Sequence, residues 1–176
     1  IMGHGCDNIK EACLVFGGGA YIYESRGIGR TITQEEALDI LEQGIRQGLV
    51  PQPSNSKKPV NICLCCSCCC QILKNIKDLD APSRVVASNF EAAVIEDECT
   101  GCSECEEICP MTAIAVDENT GVARVDLDRC IGCGLCVNTC QFEAVTLMKK
   151  DQSRQIEPPE NLMETYMAIA KEKGLF

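Results

Sequence analysis

Four short apolar runs in the second half of the chain predict β-strands grouped around polar turns. They occupy residues 93–95, 113–116, 122–125 and 144–147. Between the second and third runs, residues 117–121 carry Asp, Asn and Gly, which favour tight turns. The pattern therefore predicts a β-hairpin at the centre of this half, with one further strand on either side.

One amphipathic helix is predicted in the first half. It begins at Thr33, which together with Glu36 has the spacing of a capping box. It ends at Gly48, because glycine commonly terminates helices. Its apolar face recurs every three or four positions and comprises Leu38, Leu41, Ile45 and Leu49.

Proline and glycine mark two other stretches. Pro51, Pro53 and Pro59 predict a loop or linker after the helix. The glycine run at 17–19 falls short of a dinucleotide-binding pattern, because Ile22 stands where the last glycine would be. Residues 21–23 are expected to be extended, so the helix that this pattern requires is not predicted and nucleotide binding is disfavoured.

Cysteine spacing is the most regular feature of the last third. The pattern C-x2-C-x2-C-x3-C occurs twice, thirty-one positions apart, at Cys99, Cys102, Cys105 and Cys109 and at Cys130, Cys133, Cys136 and Cys140. Gly101 and Ala113 coincide with Gly132 and Ala144 under the same shift, which indicates an internal duplication. The spacing is the ligand pattern of bacterial-type 4Fe–4S clusters and predicts two of them.

Composition favours metal ligation over disulfides. The chain has 176 residues with 16 cysteines, 4% aromatic residues and no tryptophan, so a conventional core is expected to be modest. Cys65 and Cys66 are adjacent, and residues 68–70 are all cysteine, an arrangement poorly suited to separate disulfides. Thiolate ligands require a reducing compartment, which predicts a cytoplasmic protein of an anaerobic cell.

Charge restricts the class of partner. The formal net charge is −10, and without a basic stripe no nucleic-acid binding is expected. No apolar run reaches the length of a bilayer-spanning helix, so no transmembrane segment is predicted. An acidic surface suits docking on a basic redox partner, and a flavoprotein or a larger oxidoreductase complex is the expected class.

The segment from Glu91 to Lys150 resembles the bacterial dicluster ferredoxin domain. In that family, the fourth cysteine of each motif binds the other cluster. The resemblance implies one cluster on Cys99, Cys102, Cys105 and Cys140, and a second on Cys130, Cys133, Cys136 and Cys109. Pro110 follows the first motif as in the family, whereas Gln141 replaces the second proline. This replacement is expected to loosen the turn and to place a side-chain amide near a cluster.

Eight cysteines precede this domain, and the sequence leaves their role open. A third 4Fe–4S cluster is favoured, a zinc site is the alternative, and redox or packing thiols are the third possibility. The helix and loop between the two cysteine groups are expected to return the chain so that the groups meet. His4, between two glycines, is expected to be a turn residue. The candidate metal ligands are Cys6, Cys13, Cys63, Cys66 and Cys69.

Taken whole, the chain resembles little-characterised multi-cysteine 4Fe–4S proteins of strict anaerobes. Residues 3–6, 11–17 and 27–36 and the cysteine-dense run from Cys63 carry this resemblance. It implies a type of cofactor and no particular reaction.

A C-terminal helix is predicted after Pro158 and Pro159, ending at Gly174. Its apolar face comprises Leu162, Tyr166 and Ile169. It is expected to pack over the ferredoxin unit, and the alternative is a docking helix for a redox partner.

The predicted fold class is α+β. A pseudo-twofold, ferredoxin-like dicluster domain spans 91–150, a cysteine-rich and partly helical region spans 1–90, and a C-terminal helix lies in 151–176.

The predicted function is one-electron transfer between a donor and a partner oxidoreductase. Two alternatives are an anaerobic redox enzyme whose upstream cluster binds substrate, and a thiol or metal redox sensor. Glu104, Glu106 and Glu107 are expected to lower the potential of a cluster beside the first motif.

Overall fold

Small antiparallel sheets and mostly short helices make up the chain. The computed structural model describes residues 6–175, so the turn expected at His4 lies outside the described residues. The helices are α1 (Gly18–Ser25), α2 (Gln34–Arg46), α3 (Gln71–Lys77), α4 (Glu104–Ile108), α5 (Leu135–Thr139) and α6 (Leu162–Glu172). The strands are β1 (Cys13–Val15), β2 (Val50–Pro53), β3 (Asn61–Cys65), β4 (Phe90–Val94), β5 (Ile114–Val116), β6 (Ala123–Val125) and β7 (Val145–Lys149). Over this range, no helix is both long and apolar enough to cross a bilayer.

The cysteine-rich N-terminal region is built on a three-stranded antiparallel sheet of order β1-β3-β2. Because β3 is central, its cysteines face both neighbours: Cys13 lies opposite Cys63, and Val50 lies opposite Cys65. α2 packs on this sheet through its buried Gly44. A Cβ atom at Gly44 would lie 2.8 Å from Leu64 Cδ1, so the glycine permits this close approach.

The predicted α2 helix is confirmed at both ends. Thr33 Oγ1 accepts a hydrogen bond from the Glu36 N–H at 3.1 Å, as the capping box requires. Gly48 adopts φ +75° just beyond the helix, in the left-handed region that glycine favours. The predicted apolar face is wrong at Leu38, which is 52% exposed, because the helix turns Ile40 and Gly44 inward instead.

Two other expectations for this region are wrong. Residues 21–23 are helical, because Gly17 adopts a backbone conformation of φ +58° and ψ −137° that lets α1 begin immediately after it. β1 nevertheless pairs antiparallel with β3, so the parallel unit of a dinucleotide-binding fold is not formed. The loop predicted from Pro51 to Pro59 is wrong at its start, where Val50–Pro53 is a strand because β2 lies at the sheet edge and tolerates proline. Residues 54–60 form the predicted loop.

The four strands predicted in the second half are confirmed. β5 and β6 form the central hairpin, and β4 pairs antiparallel with β7. The hairpin turn is held by the Asp117 carboxylate, which accepts hydrogen bonds from the N–H groups of Asn119 and Thr120. These bonds hold the pKa of Asp117 below its usual range.

One hydrophobic core joins the N-terminal region to the second half. Val50 and Leu73 pack with Met111, Ile131 and other buried residues of the cysteine-rich last third. The guanidinium of Arg129 reinforces this contact by donating hydrogen bonds to the carbonyl oxygens of Lys77, Leu79 and Met111. The segment that ends α3 is therefore fixed directly beside Cys130.

The predicted C-terminal helix is present as α6, capped by the Asn161 side chain. Its Thr165 contacts the loop before β3, where Thr165 Oγ1 donates to the Asn55 carbonyl. Just before the helix, Glu157 and Glu160 pair with the Lys57 ammonium of the same loop. The docking role of this helix stays a prediction.

Candidate iron–sulfur sites

Two separate cavities hold the eight cysteines of the repeated motif. Cavity A is lined by Cys99, Cys102, Cys105 and Cys140. Cavity B is lined by Cys109, Cys130, Cys133 and Cys136. Each cavity thus receives three cysteines from one motif and the fourth from the other.

Two short helices explain this exchange. α4 carries Cys105 into cavity A and ends at Cys109, which lines cavity B. α5 does the reverse, with Cys136 in cavity B and Cys140 in cavity A. Four residues of α-helix rise about 6 Å, and the two helices pack on each other. The cavities are therefore close neighbours.

Glycine permits the cysteine loops to fold tightly around each cavity. Gly101 lies between the first two cysteines of its motif at φ +69°, and a Cβ there would lie 2.5 Å from the Gly121 carbonyl oxygen. Gly132 has φ +64°, and its Cβ would lie 2.1 Å from the Phe90 carbonyl oxygen. Both positions exclude a side chain by conformation and by contact.

Backbone N–H groups point at three of the sulfur atoms. The Ala113 N–H donates to Cys109 Sγ at 3.2 Å, and the Ala92 N–H donates to Cys130 Sγ at 3.4 Å, both at cavity B. The Ala123 N–H donates to Cys99 Sγ at 3.3 Å, at cavity A. Such bonds stabilise charge on cluster ligands, so these donors suit an iron–sulfur cluster.

A comparison with known families decides the identity of this segment. Residues 98–144 match the family model of the 4Fe-4S dicluster domain. This segment is a 4Fe-4S dicluster domain. A search of curated proteins found no match to the chain. The dicluster domain supports an iron–sulfur electron-transfer role, and its four-thiol cavities and N–H donors fit the clusters that this family binds.

Burial raises the pKa of several thiols of the dicluster domain. It raises that of Cys133 to about 11 and that of Cys136 to about 12, and it also raises that of Cys105. Iron binds thiolates, so loading must release these protons. Because proton release is favoured at higher pH, cluster binding by these thiols strengthens as pH rises and weakens in acid.

Gln141 occupies the position of the missing proline in the dicluster domain. Its side-chain amide donates to the Glu104 carboxylate at 3.2 and 3.4 Å. Glu104 itself lines cavity A, so the amide expected near a cluster contacts an acidic residue at the rim of that cavity. Cys140 has φ −69° and ψ 106°, close to the φ −70° and ψ 115° of Cys109 before Pro110, so the turn is maintained without proline.

The eight upstream cysteines separate into three groups. Cys6, Cys66 and Cys69 meet as predicted, and Cys68, which the sequence analysis left out, joins them. The ligand atoms of these four all lie within 4.8 Å of one another. We call them the four-thiol group. The expected return of the chain is thus confirmed for Cys6.

Cys13 and Cys63 lie elsewhere, as a cross-strand pair between β1 and β3. Leu64 N–H donates to the Ala12 carbonyl, which places Cys13 and Cys63 at a non-hydrogen-bonded position, where side chains are closest. These two thiols therefore do not join the other three candidate ligands. Burial, followed by the nearby Cys63, raises the pKa of Cys13.

Cys65 and Cys70 form the third group and pack against the shared core. Burial, followed by the charge of Cys70, raises the pKa of Cys65 to about 12, so this thiol is neutral at physiological pH. Cys66 in the four-thiol group behaves differently. Burial alone would raise its pKa, but hydrogen bonds from Cys68 and Cys6 outweigh burial and lower the pKa to about 7.

The spacing of Cys66 and Cys69 could have directed attention to this group. It is C-x2-C, the spacing of many metal-binding turns, although it is obscured by the neighbouring cysteines. Only the sheet register shows that Cys63 lies opposite Cys13 and that Cys65 lies opposite Val50, which places both outside the four-thiol group.

Proposed function

We propose that this protein transfers single electrons between a donor and a partner oxidoreductase through two 4Fe–4S clusters. Cluster A would bind Cys99, Cys102, Cys105 and Cys140, and cluster B would bind Cys109, Cys130, Cys133 and Cys136. The observation that carries the proposal is the pair of cavities, each lined by four cysteines, inside the dicluster domain.

The arrangement of α4 and α5 supports rapid exchange between the clusters. Each helix supplies one ligand to cavity A and one to cavity B, so the same two helices hold both clusters. A separation set by about one turn of helix is short for electron transfer through protein. An electron that enters at one cluster can therefore reach the other without movement of the chain.

Cavity A is the more accessible of the two. Cys102 is exposed, as is the neighbouring Phe142, whereas cavity B contains no exposed cysteine. Exposed Glu106 and Glu107 lie on α4 beside cavity A. We therefore assign exchange with the partner to cluster A, with a basic surface on the partner facing these carboxylates.

A reductive titration under anaerobic conditions tests the proposed function. The loaded protein should take up about two electrons per chain and return them to a one-electron acceptor of higher potential, such as oxidised cytochrome c. Uptake without return, or uptake of fewer electrons by fully loaded protein, would contradict electron transfer.

The two alternatives have different signatures. A substrate-binding cluster would change its EPR signal when substrate is added. A sensor would undergo a reversible thiol change that leaves both dicluster signals intact. Neither change is expected for an electron carrier.

Local charge should set the potential of cluster A. The Glu104 carboxylate is half-buried at cavity A, whereas Glu107 is exposed. Glu104→Gln keeps an acceptor for the Gln141 amide but removes the charge, which should raise one midpoint potential by roughly 20–60 mV. Glu107→Gln should shift the same midpoint less, and Glu172→Gln on α6 should shift neither midpoint. EPR-monitored redox titration measures these midpoints. Equal midpoints in all three variants would show that local charge does not set the potential of cluster A.

A further inference from the structure

The four-thiol group lies outside the dicluster domain, where the N-terminal segment meets the turn between β3 and α3. Cys6 Sγ is 3.6 Å from Cys66 Sγ, and Cys68 Sγ is 3.8 Å from Cys69 Sγ. Two segments separated by sixty residues therefore bring four sulfur atoms to one point.

We propose that Cys6, Cys66, Cys68 and Cys69 bind a single tetrahedral divalent metal ion, Zn²⁺ or Fe²⁺. A metal–sulfur bond of about 2.3 Å places tetrahedral ligands about 3.8 Å apart. The Cys6–Cys66 and Cys68–Cys69 distances already have this value. The Cys66–Cys68 distance, 2.8 Å, must lengthen by about 1 Å, a small adjustment for exposed Cys68.

A single ion fits this geometry better than a third cubane. The four cysteine ligands of a cubane bind four different irons. Their sulfur atoms therefore lie farther apart than the four sulfur atoms around a single tetrahedral ion. The dicluster domain provides an internal comparison. Among residues 6–175, its two cysteine sets do not form such a compact group, whereas the four-thiol group does. The geometry therefore favours the zinc-type alternative over a third cluster.

Ligand chemistry restricts the identity of the ion. Among residues 6–175, the group contains four sulfur atoms and no carboxylate or imidazole, a ligand set that selects thiophilic ions over Mg²⁺ and Ca²⁺. Zn²⁺ and Fe²⁺ share the tetrahedral thiolate geometry, and elemental analysis distinguishes them. Such an ion would be independent of the two clusters, since no cysteine is shared with cavity A or B.

The ion would fasten the N-terminal segment to the sheet. Within residues 6–12, the other cross-links are single hydrogen bonds and exposed ion pairs, such as Ile9 N–H to Gln47 Oε1 and Arg30 to Glu11. The buried apolar residues of the sheet are few, chiefly Leu14, Leu49 and Leu64. A small region of this kind commonly gains its stability from a structural metal.

Elemental analysis of the anaerobically purified full chain tests this proposal. Wild-type protein should contain about one zinc or iron ion per chain beyond the iron matched by acid-labile sulfide. Cys66→Ala should lose that ion while iron matched by sulfide is unchanged. Cys63→Ala is the matched control, because Cys63 lies three positions before Cys66, outside the group, and should retain the ion.

Three results would overturn the proposal: no excess ion in wild type, equal loss in Cys63→Ala, or an increase in iron accompanied by equal sulfide. If Cys66→Ala does not fold, spectroscopy of the wild type decides instead. If the ion is zinc, X-ray absorption at the zinc edge should show four sulfur ligands at about 2.3 Å. If the ion is iron, Mössbauer spectra should contain a high-spin ferrous component distinct from the clusters. A neighbouring iron or inorganic sulfide at this site would contradict it. A third cluster would add its own midpoint to the redox titration but would leave the two midpoints of the dicluster domain in place, so the two proposals can fail separately.

Discussion

Replacing Gly132 with alanine is expected to prevent loading of cluster B. The new Cβ would lie 2.1 Å from the Phe90 carbonyl oxygen, which is backbone and belongs to β4. The residue would also have to keep φ +64°, which disfavours any side chain. Strain and overlap together should cost roughly 2–6 kcal/mol at the loop that forms cavity B. Iron per chain should fall from about eight to about four or fewer.

Gly121→Ala is the matched control. Gly121 has nearly the same φ, +68°, but no atom lies within 4 Å of its Cβ position. Only the conformational cost of about 1–2 kcal/mol remains, and it destabilises the hairpin turn between β5 and β6. This variant should load both clusters and melt at a slightly lower temperature. Full iron and sulfide content in Gly132→Ala would show that the close approach to β4 is not required.

The second large effect concerns the exchange of cysteines between motifs. Cys109→Ala should abolish cluster B although Cys109 belongs to the first motif, because its side chain lines cavity B. Cys140→Ala should abolish cluster A for the corresponding reason. Each variant should lose about four irons and one of the two redox midpoints.

Two further variants assign the midpoints. Cys130→Ala lies in cavity B and should leave the same surviving EPR spectrum as Cys109→Ala, while Cys99→Ala should match Cys140→Ala. Alanine is used because serine oxygen can itself bind iron. If Cys109→Ala instead matched Cys99→Ala, each motif would hold its own cluster and the proposed ligand sets would be wrong.

Local patterns were sufficient to predict the dicluster half. Strand periodicity located β4 to β7, and the turn residues at 117–121 located the hairpin, since both depend on neighbouring residues. The spacing of the cysteines predicted the domain because cluster ligation requires them at fixed intervals. The contacts of Gly101 and Gly132 could not be predicted, because they involve carbonyl groups distant in sequence.

The N-terminal half was less predictable, for physical reasons. The β-favouring residues at 21–23 are helical because the conformation of Gly17 starts a helix there. Pro51 and Pro53 lie in a strand because β2 is at an edge, and edge position follows from the order of the whole sheet.

The upstream thiols illustrate the same limit. Cysteines in the run 63–70 are divided among three groups by the pairing of β3 with its two neighbours and by the turn that follows β3. Their sequence spacing alone therefore pointed to Cys13 and Cys63 as ligands, while the structure brings Cys68 to Cys6 instead.

EPR spectroscopy of the fully reduced protein tests the central claim most directly. Two reduced clusters in adjacent cavities should give two spins per chain whose spectra are split or broadened by their mutual interaction, since α4 and α5 hold both clusters close together. A single isolated spin per chain, or two spins without interaction, would contradict a pair of neighbouring clusters that pass electrons to each other.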